Sequence, residues 1–199
     1  GDVTRPDFSK LKLDNVLSKY ISKLIIASKL GDAKILDCII DIFNNEGYQT
    51  NSFIDFFPDE YALDKTFSNI TKDEINDINK GVSLLSSLSK YDNAQSCVIS
   101  NGYVLAIEAV EGTDKMLSRI NSIKKKISRN IVEGTLVKMP KVNQSLKMDL
   151  PTVGLTTLEM MYRNKLSVLA VAKNSTIVVE KNKFYKALMK YKIKLHFVD

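Results

Sequence analysis

Asn101-Gly102, set between the apolar runs Ser96–Ser100 and Tyr103–Ala109, constrains this chain more than any other feature. An Asn-Gly pair supplies both left-handed residues of a two-residue turn, so the flanking runs are predicted to be antiparallel strands of a hairpin. Beyond it, strand and helix signals alternate. Gly134–Met139, Ser167–Ala172, Thr176–Glu180 and Ile193–Val198 are short apolar or β-branched runs predicted as strands, with a turn at Asn174. Thr156–Asn164 and Asn182–Tyr191 carry helical spacing, and Thr113 or Asp114 is expected to cap a helix running through Met116, Leu117 and Ile120 into Lys124-Lys125-Lys126. A hairpin feeding such an alternation predicts an α/β fold with a mixed sheet.

The preceding residues are mostly helical in pattern. Apolar positions at Val16, Leu17, Tyr20, Ile21, Leu24 and Ile25 predict a helix within Leu11–Leu30, closed near Gly31. Asp32 is expected to cap a second helix whose inner face is Ile35, Leu36, Ile39, Ile40 and Phe43. Tyr48–Ile54 reads as a strand and Pro58–Lys72 as a loop. Thr71-Lys72-Asp73-Glu74 has the spacing of a capping box, opening a helix with Ile75, Ile78, Val82 and Leu85. The serine-rich Ser83–Ser89 is the expected linker, dividing residues 1–88 from residues 89–199.

Charge separates the two parts further. Residues 1–90 hold 11 basic and 14 acidic side chains, whereas residues 91–199 hold 18 and 9. A basic second half points to an anionic partner: phosphate, nucleic acid or an acidic membrane surface. Nucleic acid is disfavoured, since there is no Trp and no aromatic residue is interleaved with the basic run. The longest apolar runs, Leu24–Ala27, Val104–Ile107 and Val168–Ala172, are too short to span a bilayer. Cys38 and Cys97 lack metal-ligand spacing and read as thiols of a reducing, cytoplasmic compartment. His196, the single histidine, sits in a terminal apolar run more suited to packing than to catalysis.

Two stretches concentrate the chemistry. In the first, Glu108 lies at the end of a strand that is otherwise apolar, so it must be partnered, metal-bound or at an edge. Glu111, Thr113 and Asp114 follow, with Gly112 allowing a sharp turn into a helix start; a capped helix and a phosphate site fit this pattern equally. In the second, Lys138 and Lys141 flank Pro140 at a strand end, followed by Gln144, Lys147 and Asp149. Lysines placed there either offset charge developing in phosphoryl transfer or are merely solvated. Asp149, stiffened by Leu150-Pro151, can ligate magnesium or take a proton from water, or simply form a turn or cap. Lys124–Lys126 with Arg129 reads as a solvated helix end or a contact with an acidic membrane surface. Phosphate-binding Gly-rich loops, Gly-x-Ser-x-Gly, HExxH and CxxC are all absent, which disfavours serine-nucleophile and zinc chemistry.

Asp92-x-x-Gln95, NGYVLAIEAVEGTDKML and LVKMPKVNQSLKMDLPTVG, in this order and with Arg5-Pro6 near the start, resemble the magnesium-dependent UDP-2,3-diacylglucosamine pyrophosphatase family of lipid A biosynthesis. This is the type unrelated to the calcineurin-like enzymes of the same step. The resemblance implies hydrolysis of UDP-2,3-diacylglucosamine to UMP and 2,3-diacylglucosamine 1-phosphate. The enzyme would be cytoplasmic and peripheral at the inner membrane, with no nucleic-acid partner and with a homo-oligomer left open. It places the catalytic aspartate on Asp149. Substrate contacts fall on Gln95, Thr113, Lys138, Lys141, Gln144 and Thr152, and the acids of the EGTD motif on Glu111 and Asp114. Mg2+ is the expected cofactor, with Asp149, Glu111 and Asp114 as the ligands we infer. The alternative is a non-catalytic module of the same family that holds a lipid phosphate or a protein. Ser145 and Ala94 depart from the family pattern, which has an acid and a glycine at these places. Gly1 would correspond to a point inside a glycine-rich N-terminal lobe. Residues 1–88 are thus expected to be the mostly helical remainder of an N-terminal α/β domain and residues 89–199 the catalytic domain.

Overall fold

The computed structural model describes residues 7, 10–63, 66, 69–91, 93–127, 133–141, 147 and 149–198, with only the backbone for Asp32 and Glu60. The chain divides into two compact units, Gly1–Asn51 and Ser52–Asp199.

The first unit is a helical hairpin, α1 (Leu17–Ser28) and α2 (Asp32–Asn45). α1 begins later than its apolar spacing predicts because the Asp14 carboxylate accepts the Val16 and Leu17 N–H groups at 3.0 and 2.6 Å. Gly31, at φ 117°, turns the chain into α2. Ile40 is buried, as expected, whereas Phe43 lies outside against the edge of Tyr48. The strand expected at Tyr48–Ile54 does not form. Ser52 and Asp55 instead make a reciprocal capping box that opens the short helix α3 (Phe53–Phe56), and local capping overrides the β-propensity of the stretch. α4 (Pro58–Tyr61) follows, with proline in its first turn, where the predicted loop was expected.

The Thr71–Glu74 capping box forms as predicted. Thr71 Oγ1 accepts the Glu74 N–H at 3.3 Å, and the Glu74 carboxylate accepts the Thr71 N–H at 2.8 Å. The helix it opens, α5 (Lys72–Ser89), runs straight through Ser83–Ser89, so that stretch is helix and not linker. Ile78 and Leu85 bury against Cys97, Ile99, Val137, Val168 and Ala170. α5 therefore belongs with the sheet, and the observed division falls at residues 51 and 52 instead of at 88 and 89. Gly81 is what permits the approach: a Cβ there would lie 2.6 Å from Val137 Cγ2.

β1 (Ser96–Ser100) and β2 (Tyr103–Ile107) form the predicted hairpin, with Asn101 and Gly102 at φ 48° and 75°. β3 (Thr135–Lys138), β5 (Val168–Ala172) and β7 (Lys194–Val198) complete a mixed sheet of order β2-β1-β3-β5-β7. β1 is antiparallel to both neighbours, whereas β3, β5 and β7 are mutually parallel. The connections are α8 (Leu155–Arg163) and α9 (Lys181–Tyr191), and a small parallel pair, β4 (Thr152–Val153) and β6 (Ile177–Val178), packs beside them. After β2 the chain forms α6 (Gly112–Ser118) and α7 (Ile120–Lys126), two short helices with a break at Arg119 where one was expected. Met116, Leu117, Leu158 and Phe184 from these helices close over Val98, Leu136 and Leu169, on the sheet face opposite α5. No described helix is long and apolar enough to cross a membrane.

Candidate active site at the carboxyl edge of the sheet

The strand directions define one edge. β2, β3, β5 and β7 all end where β1 begins, and open α/β sheets bind ligands beyond the carboxyl ends of their strands. At this edge Lys138, the last residue of β3, stands directly opposite Ser96, the first of β1. Residues paired across strands project to the same face, so both side chains point toward α6.

Lys138 is only 7% exposed, an uncommon state for a lysine without a partner. Its ammonium donates to Thr113 Oγ1 at 2.7 Å. The Thr113 hydroxyl lies 3.0 Å from Glu108 Oε2, and the Ser96 hydroxyl reaches the same oxygen at 2.5 Å. Glu108 continues the strand ladder by one residue, its N–H donating to the Ser96 carbonyl at 2.9 Å. Burial pushes the Lys138 ammonium below the usual lysine range, opposed by the carboxylates of Glu108, Asp114 and Asp149.

The two chemical stretches therefore meet. Thr113 from the first is bonded to Lys138 from the second, and Asp114 and Asp149 both act on that ammonium. Thr113 does not cap α6; Glu111 stands at the cap position and makes no side-chain cap bond. The Thr113 hydroxyl is drawn into the interior by a buried cation, a stronger partner than a terminal amide. Glu111 is engaged elsewhere, with its carboxylate 2.7 Å from Arg119 Nη2, which also donates to the Ile107 carbonyl at 2.7 Å. Gln95 is half-buried beside Ser96, its carbonyl accepting the Met139 N–H at 2.9 Å. Lys141 and Asp149 are half-buried, and Thr152 is exposed with its hydroxyl on the Leu150 carbonyl at 3.1 Å. Gln144, Ser145 and Asp92 lie outside the described residues.

Two contributors were not singled out from the residues alone. Ser96 is one: its signal would have been a hydroxyl opening an apolar strand on the same face as Val98. Arg119 is another, eight residues beyond its acid. Glu108 was known to need a partner, and the partners are two hydroxyls. Lys124, expected in solvent, donates to the carbonyls of Asn164 and Lys165 at 2.9 and 3.4 Å, tying α7 to the end of α8.

Among the described residues, no three His, Cys, Asp or Glu side chains gather to hold a metal ion. The carboxylates whose charge reaches Lys138 are Glu108, Asp114 and Asp149, and Glu108 is held by two hydroxyls, which leaves Asp114 and Asp149 as the candidate oxygen donors. Two carboxylates fit a magnesium-type ion, which is commonly held by one or two carboxylates plus substrate phosphates.

A buried ammonium, fixed by a threonine and within the electrostatic reach of three carboxylates at the carboxyl edge of a mixed sheet, defines an α/β domain suited to a phosphate-type anion. The chain belongs to the LpxI C-terminal domain family, whose sequence model matches residues 64–196, a stretch that takes in α5, β1, β2, β3, β5 and the start of β7. It is also similar to the UDP-2,3-diacylglucosamine pyrophosphatase LpxI of Caulobacter vibrioides, at 30% identity over 187 residues. The alignment covers 91% of this chain but 66% of that protein, so the chain spans just under two thirds of its relative's length.

Proposed function

We propose that this protein hydrolyses UDP-2,3-diacylglucosamine to UMP and 2,3-diacylglucosamine 1-phosphate, a step of lipid A biosynthesis. The reading is supported by the bond between Lys138 and Thr113, which joins the two motifs of the family beside Asp114 and Asp149. A fixed ammonium at a water-poor edge stabilises negative charge gathering on a phosphoryl group as its bridging oxygen departs. Thr113 aims that ammonium. Asp149 serves the attacking water, either by accepting its proton or by joining Asp114 in holding a cation, since one carboxylate oxygen cannot do both at once. Magnesium bound there would polarise the diphosphate. Glu111 is left out of this set because Arg119 engages it. Gln95, Lys141, Gln144 and Thr152 remain candidates for substrate contact. The diacyl substrate would bring the protein to the cytoplasmic face of the inner membrane as a peripheral protein.

The test is UMP release from UDP-2,3-diacylglucosamine with magnesium present. Wild-type chain releases UMP, and Asp149→Ala lowers kcat about 100- to 1,000-fold. An Asp149→Ala variant near wild type removes this mechanism. Binding of the lipid 1-phosphate with no UMP release at high protein concentration favours a non-catalytic module instead.

A further inference from the structure

Thr113 has one hydroxyl proton and three polar neighbours, of which the Ser96 hydroxyl, at 3.5 Å and already donating to Glu108 at 2.5 Å, is the most distant. The Lys138 ammonium, 2.7 Å away, can only donate, so the Thr113 oxygen must accept from it. The hydroxyl proton must then leave in another direction, and Glu108 Oε2 at 3.0 Å is the acceptor. The Glu108 oxygen is fixed in turn by the Ser96 hydroxyl at 2.5 Å, whose strand position is set by pairing with Lys138 itself. The network is a closed loop across three strand ends: Lys138 on β3, Thr113 on α6, Glu108 after β2 and Ser96 on β1.

We infer that Glu108, oriented by Ser96, is a positioning residue for the Lys138 ammonium: its carboxylate accepts the hydrogen bond of the Thr113 O–H and so turns the Thr113 oxygen lone pairs toward the lysine. Without a charged, acceptor-only group at this place (a glutamine offers one neutral oxygen and a competing N–H donor) the Thr113 hydroxyl is held less firmly and presents its proton to the cation for part of the time. The lysine then loses its anchor at the point where it must meet the phosphoryl group. Glu108 also supplies a negative charge one hydroxyl removed from the ammonium. That spacing balances the buried cation without capping it, as a direct ion pair would. Neither Glu108 nor Ser96 touches the substrate in this scheme; both act through Thr113 and Lys138. The inference rests on the hydrolase reading, because it presumes that the Lys138 amine serves the reacting phosphate.

The experiment measures UMP release, with kcat and KM separated, for the full chain and for Glu108→Gln and Ser96→Ala, alongside the thermal midpoint of each. Supporting groups of this kind are worth about 10- to 100-fold in activity. Glu108→Gln is expected to lower kcat within that range while KM stays within about twofold, because the lysine is misaimed for the transition state and binding is little changed. Ser96→Ala should lower kcat by about tenfold or less, in the same pattern. Wild-type kcat in a folded Glu108→Gln variant overturns the inference. If Glu108→Gln fails to fold, wild-type kcat in Ser96→Ala overturns it, as does a loss that only tracks the folded fraction. Failure of the hydrolase reading looks different: the wild-type chain itself would release no UMP, and the inference would fall with it.

Discussion

The two edges of the sheet handle buried charge in opposite ways. At the edge where β3, β5 and β7 begin, the carboxylates of Glu74 and Asp77 are matched at contact distance. Lys194 meets both Glu74 oxygens at 2.8 Å, and the two oxygens of the buried Asp77 accept the N–H groups of Asn101 and Gly102 at 2.9 and 2.7 Å. At the edge where those strands end, Lys138 is anchored by a hydroxyl, and its carboxylates act from farther away. Contact pairing neutralises charge and fixes structure. A cation one hydroxyl removed from its counter-charge keeps its positive field for an incoming anion. The first edge is built to be stable, and the second gives up stability for a charged site.

Breaking the contact-paired edge should cost stability and leave chemistry alone. Asp77→Ala strands two amides of the hairpin turn and removes charged hydrogen bonds worth about 1.5–3 kcal/mol each. A loss of about 3 kcal/mol is expected, or roughly a 6–12 °C fall in Tm for a chain of this size, read by thermal denaturation. UMP release per folded molecule should be unchanged.

The pH dependence of the same edge sharpens the contrast. Burial alone would raise Glu74, but Lys194 and Thr71 outweigh it and hold its carboxyl below the ordinary value of 4.5. A depressed folded value means stability that is present above the unfolded value and lost as pH falls through the folded one. Denaturant titrations from about pH 6 downward should show wild type losing about 1–2 kcal/mol more than Glu74→Gln. Equal slopes would mean that the pair adds nothing.

At the carboxyl edge stability also rises with pH, but in an alkaline window and because the charged form is the costly one. Burial holds Lys138 below its ordinary value, so the unfolded chain binds more protons than the folded one, and stability rises as pH climbs through the folded value toward 10.5. Lys138→Met removes a cation that is costly to bury and should be more stable than wild type at neutral pH by about 1 kcal/mol. That advantage should shrink as pH approaches 10.5, as followed by denaturant titration.

The smallest effect concerns Ala94, next to Gln95 at this edge. Its φ of 61° lies in the left-handed region, where glycine is the residue best accommodated. Ala94→Gly relieves backbone strain but gives up a buried methyl group, so Tm should move by no more than about 2 °C. Ala94→Val should lower it clearly.

Local signals were the legible ones. The Thr71–Glu74 box and the Asn101-Gly102 turn each carry their geometry within four residues, and both form as read. Ser83–Ser89 misled because serine content suggested a linker, while Leu85 still buries its side chain at helical spacing. Tyr48–Ile54 misled because aromatic and β-branched residues outweighed a capping pair three residues apart. At the candidate site, the motifs brought Thr113, Lys138, Asp114 and Asp149 to notice. The register that sets Ser96 opposite Lys138 is a pairing of residues about forty positions apart, beyond the reach of periodicity. The same holds for Arg119, whose claim on Glu111 depends on the break between α6 and α7.

In this reading, turnover is carried at the carboxyl edge by Lys138, whose ammonium has a hydroxyl and no contact carboxylate among the described residues. UMP release by Lys138→Met and Lys194→Met, measured side by side on folded protein, tests it most directly. A loss of about 100- to 1,000-fold is expected for Lys138→Met, and turnover within about threefold of wild type for a less stable Lys194→Met. Wild-type turnover in Lys138→Met, or a larger catalytic loss in Lys194→Met, would contradict it.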